Sequence, residues 1–178
     1  MYFNDSNKKY IILDIEGNSA KQEDERKMTQ FSALVFHNNQ FIEIDYMNRN
    51  VNYINPYVKK MTKISVNTCK NNGMSERNMV FKIHELLKTC DVIYAYGCDF
   101  DKKIINIMFN KYNLSPIKAL WIDVIDDVKK YLNPSKLKLS IAANEYGFVS
   151  CNFHNALVDC YATLHLMKTI MQIREATL

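Results

Sequence analysis

The order of its apolar runs constrains this chain more than any other feature. Three extended runs come first: Tyr10–Ile15, Met28–Phe36 and Phe41–Met47. The polar stretch "NSAKQEDERK" reads as a loop before the second run, and "HNNQ" as a turn between the last two, so a hairpin is expected there. Phe41, Ile42, Ile44, Tyr46 and Met47 carry the apolar character of the third run. The period then changes. Pro56 opens a short helix with Tyr57, Val58 and Met61 at helical spacing. Ser75 reads as an N-cap and Glu76 as a first-turn acid, ahead of Met79, Val80, Ile83, Leu86 and Leu87. Two short apolar runs, "DVIYAY" and "ALWID", follow, interleaved with the helical segments "FDKKIINIMFNKY", "VIDDVKKYL" and "LKLSIAANEYGF", the last closed by Gly147. A final helix sets Leu157, Cys160, Leu164, Met167 and Met171 in one stripe. This order implies an α/β architecture. The expected sheet is mixed and five-stranded, an antiparallel meander followed by parallel strands reached through crossovers, with helices on its flanks. No repeat or boundary interrupts the chain, so residues 1–178 are expected to form one domain.

Composition narrows the classes. A hydrophobic fraction of 48% with only 4 glycines and 3 prolines excludes a disordered or linker-rich chain. No apolar run has the length of a membrane span, and "MYFNDSNKKY" has no apolar signal core. The 5 cysteines are odd in number and contain no C-x-x-C pair, which argues against a disulfide framework or a structural zinc site. A reduced cytoplasmic location is the expectation. The net charge of +4 is mild. Lysines nevertheless cluster at Lys59, Lys60 and Lys63, at Lys102 and Lys103, and at Lys129, Lys130, Lys136 and Lys138. Each cluster alone reads as a solvated face; together they permit a phosphate-tracking surface around an acidic centre. No glycine-rich phosphate loop of the G-x-G-x-x-G or G-x-x-x-x-G-K-[ST] kind occurs.

The acidic centre begins in "YIILDIEGN". Asp14 and Glu16 are two apart at the end of a buried strand, so they share a face and repel. Asp101 opens the helix after "YAYGCDF", and Asp159 lies early in the last helix, five residues beyond His154. Taken singly, each has an ordinary reading: a solvated strand end, an acid at a helix N-terminus, a surface histidine. Taken together, four carboxylates at element ends have the hard oxygen donors that a divalent-metal centre needs, with a histidine available as general base.

These motifs, in this order, resemble the DEDDh (DnaQ-like) 3′–5′ exonucleases of the ribonuclease H-like superfamily, over about residues 10–173. "LDIEGN" supplies the Asp-x-Glu motif. "INPYVKKMTKISVN" is similar to the segment that follows the third strand. "GCDFD" supplies the second motif, and "WID" is similar to the stretch after the next strand. "HNALVD" supplies histidine, four residues, aspartate. The residue four before Asp159 is Asn155, which indicates the histidine rather than the tyrosine branch. Asp101 is taken as the second-motif acid because Phe100 precedes it, with Asp99 as the competing position.

The resemblance implies a ribonuclease H-like fold. It implies that Asp14, Glu16, Asp101 and Asp159 bind two Mg²⁺ or Mn²⁺ ions, that His154 deprotonates the attacking water, and that nucleoside 5′-monophosphates leave the 3′ end of single-stranded or frayed nucleic acid, DNA before RNA. Gly17, Asn18 and Phe100 are expected to meet substrate, with Phe153 a further stacking candidate. Gly17 and Asn18 stand where the family often has threonines, and Gly97 replaces the usual asparagine. "YAYG" resembles the Trp-Gly of an RNA-directed branch, so an exoribonuclease is the first alternative. A non-catalytic nucleic-acid-binding module is the second. Relatives of this kind serve polymerases or helicases, so such a partner is expected.

Overall fold

A computed structural model describes every residue except 1, 4, 23, 24, 39, 177 and 178. Part of the expected loop, residues 23 and 24, and part of the expected "HNNQ" turn, residue 39, therefore lie outside the described residues. Five strands and seven helices follow: β1 (Tyr10–Gly17), β2 (Met28–His37), β3 (Gln40–Met47), α1 (Pro56–Thr62), α2 (Val66–Asn72), α3 (Glu76–Leu87), β4 (Val92–Ala95), α4 (Asp99–Lys111), β5 (Leu120–Asp123), α5 (Val124–Tyr131), α6 (Leu139–Glu145) and α7 (Ala156–Ala176).

The strand order is β3-β2-β1-β4-β5. The first three strands form the expected antiparallel meander, while β4 runs parallel to both β1 and β5. β1 is thus the central strand and belongs to both halves of the mixed sheet. Its alternation sends one core to each face of the sheet, and a third, smaller cluster of Val51, Ile54, Val58, Ile64 and Cys69 lies around α1 and α2. Ile11, Leu13 and Ile15 face a cluster with Met79, Ile83 and Leu87 of α3 and Ile105, Met108 and Phe109 of α4. Tyr10 and Ile12 face a second cluster with Val124 and Val128 of α5, Ala142 and Ala143 of α6, and Cys160, Leu166, Met167 and Ile170 of α7. Asp14 and Glu16 continue this second face to the end of the strand, so α7 must end beside them.

Several local expectations are refined. The α7 stripe is broader than one helical face: Ala162, Thr163, Leu166 and Ile170 are also buried, because α7 lies between the sheet and α5–α6. Leu157 and Met171 sit only at the margin of that core. On the edge strand β3, Phe41 and Ile42 are exposed rather than buried. Gly147 does close α6, with φ +92°. The short α2 has no counterpart in the sequence reading. It is capped by Ser65, whose hydroxyl accepts from the Thr68 amide, and it buries Cys69 alone.

Candidate active site

The acids of the three motifs and His154 gather around the C-terminal end of β1 and β4, the edge where ligands bind in parallel α/β sheets. Asp14 pairs across the sheet with Ser32, and Glu16 with Gln30; a bulge between Glu16 and Gly17 then breaks the ladder. β4 ends in a turn at Gly97, with φ +79°, that leads into α4. Asp101 lies in the first turn of α4, where the helix dipole favours a carboxylate, and is only 3% exposed. Asp99, two positions earlier on the helix, points elsewhere and is exposed. Of the two acids, Asp101 is the one that lies beside Asp14.

The third contribution comes from the N-terminus of α7. Asn155 caps it, its side-chain oxygen accepting from the Val158 amide at 3.3 Å. Gln30, buried in β2, fixes the same end: its side-chain oxygen accepts from the Ala156 amide at 3.2 Å and its side-chain nitrogen donates to Asp45 at 2.8 Å. His154 just before the cap adopts φ +69°, the left-handed region that non-glycine residues avoid. That turn lets the His154 amide donate to Oδ2 of Asp159 at 3.1 Å. The side chains of Glu16, His154 and Asp159 offer ligand atoms within 4.8 Å of one another.

The carboxylates crowd together. Burial, and then Asp101, Asp159 and Glu16, drive the Asp14 carboxyl well above its ordinary range. Glu16 rises to about 8, through burial and then repulsion from Asp159 and Asp101. Asp101 rises to about 8, chiefly by burial, although the amides of Asp101 itself and Ile15 pull it back. Asp159 rises to about 7 by burial, opposed by the His154 amide and by Lys138. His154 moves the other way: burial and then Lys138 lower it, so its ring is neutral at neutral pH and free to accept a proton.

These residues fit a divalent cation. The donors are hard carboxylate oxygens, joined by one imidazole. Oδ1 of Asp101 and Oδ1 of Asp159 are buried with no hydrogen-bond partner among the described residues, an arrangement that costs free energy unless a cation meets them. The centre opens into a cleft of about 470 Å³ with Tyr96, Phe100, Lys138 and Phe153 among its walls. Phe100 is 49% exposed and separates this cleft from a smaller one of about 300 Å³ that Arg26, Lys27 and Lys103 help to line. A Cβ on Gly17 would lie 3.3 Å from the Phe100 ring, so glycine there lets the ring close over the strand end.

Asn18 lines the smaller cleft rather than the main one. It is 1% exposed, its side-chain oxygen accepts from the Lys27 amide at 2.9 Å, and its side-chain nitrogen donates to the Glu25 carbonyl at 2.9 Å. It staples the loop between β1 and β2 and presents no side chain to the main cleft. Sequence reasoning also gave no role to three supporting residues. Asp123 accepts from the amides of Gly97 at 2.9 Å, Cys98 at 3.1 Å and Ile125 at 2.9 Å, which ties the start of α4 to that of α5. Gln30 anchors α7 as described. Lys138 was visible only as one lysine of a cluster.

Known proteins share these features. Residues 11–167 match the RNase T family, described as exonuclease. The chain is 29% identical over 132 residues to a PolC-type DNA polymerase III of Ureaplasma parvum, which covers 73% of this chain and 9% of that protein. It is 28% identical over 120 residues to the PolC-type DNA polymerase III of Mycoplasma genitalium, covering 65% of this chain and 8% of that protein. The chain thus spans less than a tenth of the length of these relatives. Among solved structures, the zinc-bound complex of E. coli exonuclease I with single-stranded DNA superposes with a TM-score of 0.80 at 17% identity, over 96% of this chain and 41% of that one. The complex of the same enzyme with a dT13 oligonucleotide gives 0.80 at 17% identity, over 96% and 42%. The mixed sheet and its flanking helices are therefore the exonuclease, ribonuclease H-like fold. The family match covers most of the chain, and the chain belongs to the RNase T family of exonucleases.

Proposed function

We propose that this chain is a 3′–5′ exonuclease that releases nucleoside 5′-monophosphates from the 3′ end of single-stranded or frayed DNA. The observation that carries the reading is the convergence of Asp14, Glu16, Asp101 and Asp159 from three elements, with two buried carboxylate oxygens unpartnered and a neutral His154 beside them. Those four carboxylates are the residues that would hold Mg²⁺ or Mn²⁺, two ions per site. Such ions, when bound, supply Lewis acidity toward the water nucleophile and the phosphate oxygens. The chain's own groups do the remainder. The His154 ring nitrogen takes the proton of the attacking water, and the left-handed turn at residue 154 keeps the ring beside Glu16 and Asp159. Asp123 and Gln30 hold α4 and α7 in register, so Asp101 and Asp159 need no rearrangement during the reaction. Phe100, half exposed at the mouth, offers a face on which the terminal base stacks, and Phe153 a second. Gly17 lets the substrate backbone approach the end of β1.

The PolC-type relatives are DNA polymerases by name, and the exonuclease I structures hold DNA. Both support DNA as substrate and a polymerase as a working partner. Gly97 in "YAYG" supports RNA as the second reading. Labelled single-stranded DNA, single-stranded RNA and mismatched duplex, each with Mg²⁺, Mn²⁺ or EDTA, decide between them. Mononucleotide release from DNA that EDTA abolishes is the expected result. Degradation of RNA alone, or release of internal fragments, overturns it.

A further inference from the structure

Among the described residues that line the main cleft, Lys138 is the only lysine or arginine. Its neighbours in the lysine cluster are occupied or placed elsewhere. Lys129 pairs with Asp126 at 3.5 Å, Lys130 lies 4.9 Å over the Tyr131 ring, and Lys136 lines a separate surface hollow. Lys138 makes no ion pair with a described residue and is exposed to the cleft.

Its backbone, by contrast, is firmly held. Lys138 is the N-cap residue of α6, and its carbonyl accepts from the Ile141 and Ala142 amides at 2.9 Å. One residue earlier, the Leu137 carbonyl accepts from the Tyr96 hydroxyl at 2.8 Å, which clasps this turn to the end of β4. At Ser135 the turn is tied to Glu145, the backbone amide donating at 2.9 Å. A lysine on a mobile surface turn has no such double clasp. Here the segment is fixed while one long cationic side chain is left to reach into the cleft. Its charge is already felt there, adding to the lowering of His154 and opposing the rise of Asp159.

The charge balance says what it meets. Two divalent ions, when bound, would offset the four carboxylates and no more, so the negative charge that a phosphodiester brings, spread over its oxygens in the transition state, would need a further cation. We propose that Lys138 is a phosphate-binding catalytic residue. Its ammonium contacts a non-bridging oxygen of the scissile phosphodiester and, after cleavage, the phosphate of the released mononucleotide. This assignment rests on the nuclease reading of the cleft and adds to it a cation that the carboxylate motifs do not contain.

The test compares Lys138→Met and Lys138→Arg with the wild type on two substrates and one ligand. The substrates are a single-stranded oligonucleotide and the p-nitrophenyl ester of thymidine 5′-monophosphate, which has one phosphodiester and no upstream strand. The ligand is thymidine 5′-monophosphate, with its binding measured by calorimetry in Ca²⁺. A charge-assisted contact to phosphate predicts a loss of about 10- to 100-fold in kcat/KM for Lys138→Met, equal on both substrates. It also predicts mononucleotide binding at least about tenfold weaker, with recovery of most of both losses in Lys138→Arg. Unchanged kinetics and binding in Lys138→Met overturn the proposal. So does a loss confined to the oligonucleotide, which would place Lys138 on the upstream strand. A wild-type protein that binds the mononucleotide and cleaves nothing overturns the nuclease reading instead, and the binding comparison then decides for or against Lys138. A wild type that does not bind it overturns both.

Discussion

Removal of divalent metal should make this protein less stable as the pH rises, the reverse of ordinary acid denaturation. The perturbation is titration of the site carboxylates in EDTA. A carboxyl whose pKa is raised in the folded state binds its proton more tightly there than in the unfolded chain. Its stabilising contribution is complete below the unfolded value and disappears as the pH passes the folded value. For Glu16 that window runs from 4.5 to about 8. His154, lowered by burial and Lys138, acts in the opposite sense below its ordinary value of 6.5, so the clean part of the window lies above it. Between about pH 6.5 and 8, one carboxyl titrating near 8 loses about 1.6 kcal/mol of stability. For a chain of this size that lowers Tm by roughly 3–6 °C. Asp101, also near 8, adds to the loss, although its charge and that of Asp14 repel, so the two do not lose their protons independently. The assay is thermal melting followed by circular dichroism across this range, with EDTA and then with Mg²⁺. Saturating Mg²⁺ should abolish the slope, and Glu16→Gln should reduce it in EDTA. A Tm in EDTA that is flat or rises from about pH 6.5 to 8, or a Glu16→Gln variant that keeps the full slope, refutes the reasoning that repulsion and burial strain this site.

Neutralising Asp14 should separate stability from activity: Asp14→Asn should melt above the wild type in EDTA at about pH 8 while losing at least about 100-fold in nuclease rate, checked by melting and by mononucleotide release. Asp123→Ala removes the acceptor of three amides and should cost about 3 kcal/mol in urea denaturation, with a fall in kcat because the start of α4 loosens around Asp101. Gly73→Ala should destabilise by more than about 2 kcal/mol, measured the same way, because its Cβ would lie 2.4 Å from the Cys69 carbonyl oxygen and 2.6 Å from the Arg49 amide nitrogen; metal-dependent activity of the folded fraction should survive.

What the sequence revealed and what it hid divide along a physical line. Long elements with an apolar period were legible: β1 to β3, α3, α4 and α7 all fall within a few residues of the runs that predicted them. The strand carboxylates were legible because their positions fix direction. Asp14 and Glu16 two apart must share a strand face; Asp101 was preferred to Asp99 only through the family pattern, and it is the structure that buries the one and exposes the other. The seven-residue α2 was not legible, since one buried cysteine makes no stripe. Nor were the supporting contacts. Gln30, Asp45 and Asp123 act through a few hydrogen bonds, most of them to groups distant in sequence, and nothing periodic marks such residues. The supporting role of Asn18 was hidden for the same reason. Its position beside the first motif suggested substrate, but its amide is engaged by Lys27 and Glu25 across the loop.

The same division explains how the chain tolerates its own site. Four mutually repelling carboxylates would push their supports apart if those supports were held only by the site. Each is instead anchored in packing that the site does not depend on. β1 is buried by both cores, α4 by one of them and α7 by the other. On β1 the acids project past Ile12, the last apolar residue that the strand turns to the second core. Repulsion there can raise proton affinities but cannot open the layers, because opening them would expose Ile11, Ile12 and Leu13, none more than 1% exposed, together with the middle of α7. The site's strain therefore appears as altered titration rather than altered structure. A divalent ion bound there would meet carboxylate oxygens already held in place, so its affinity would not be reduced by the cost of ordering them.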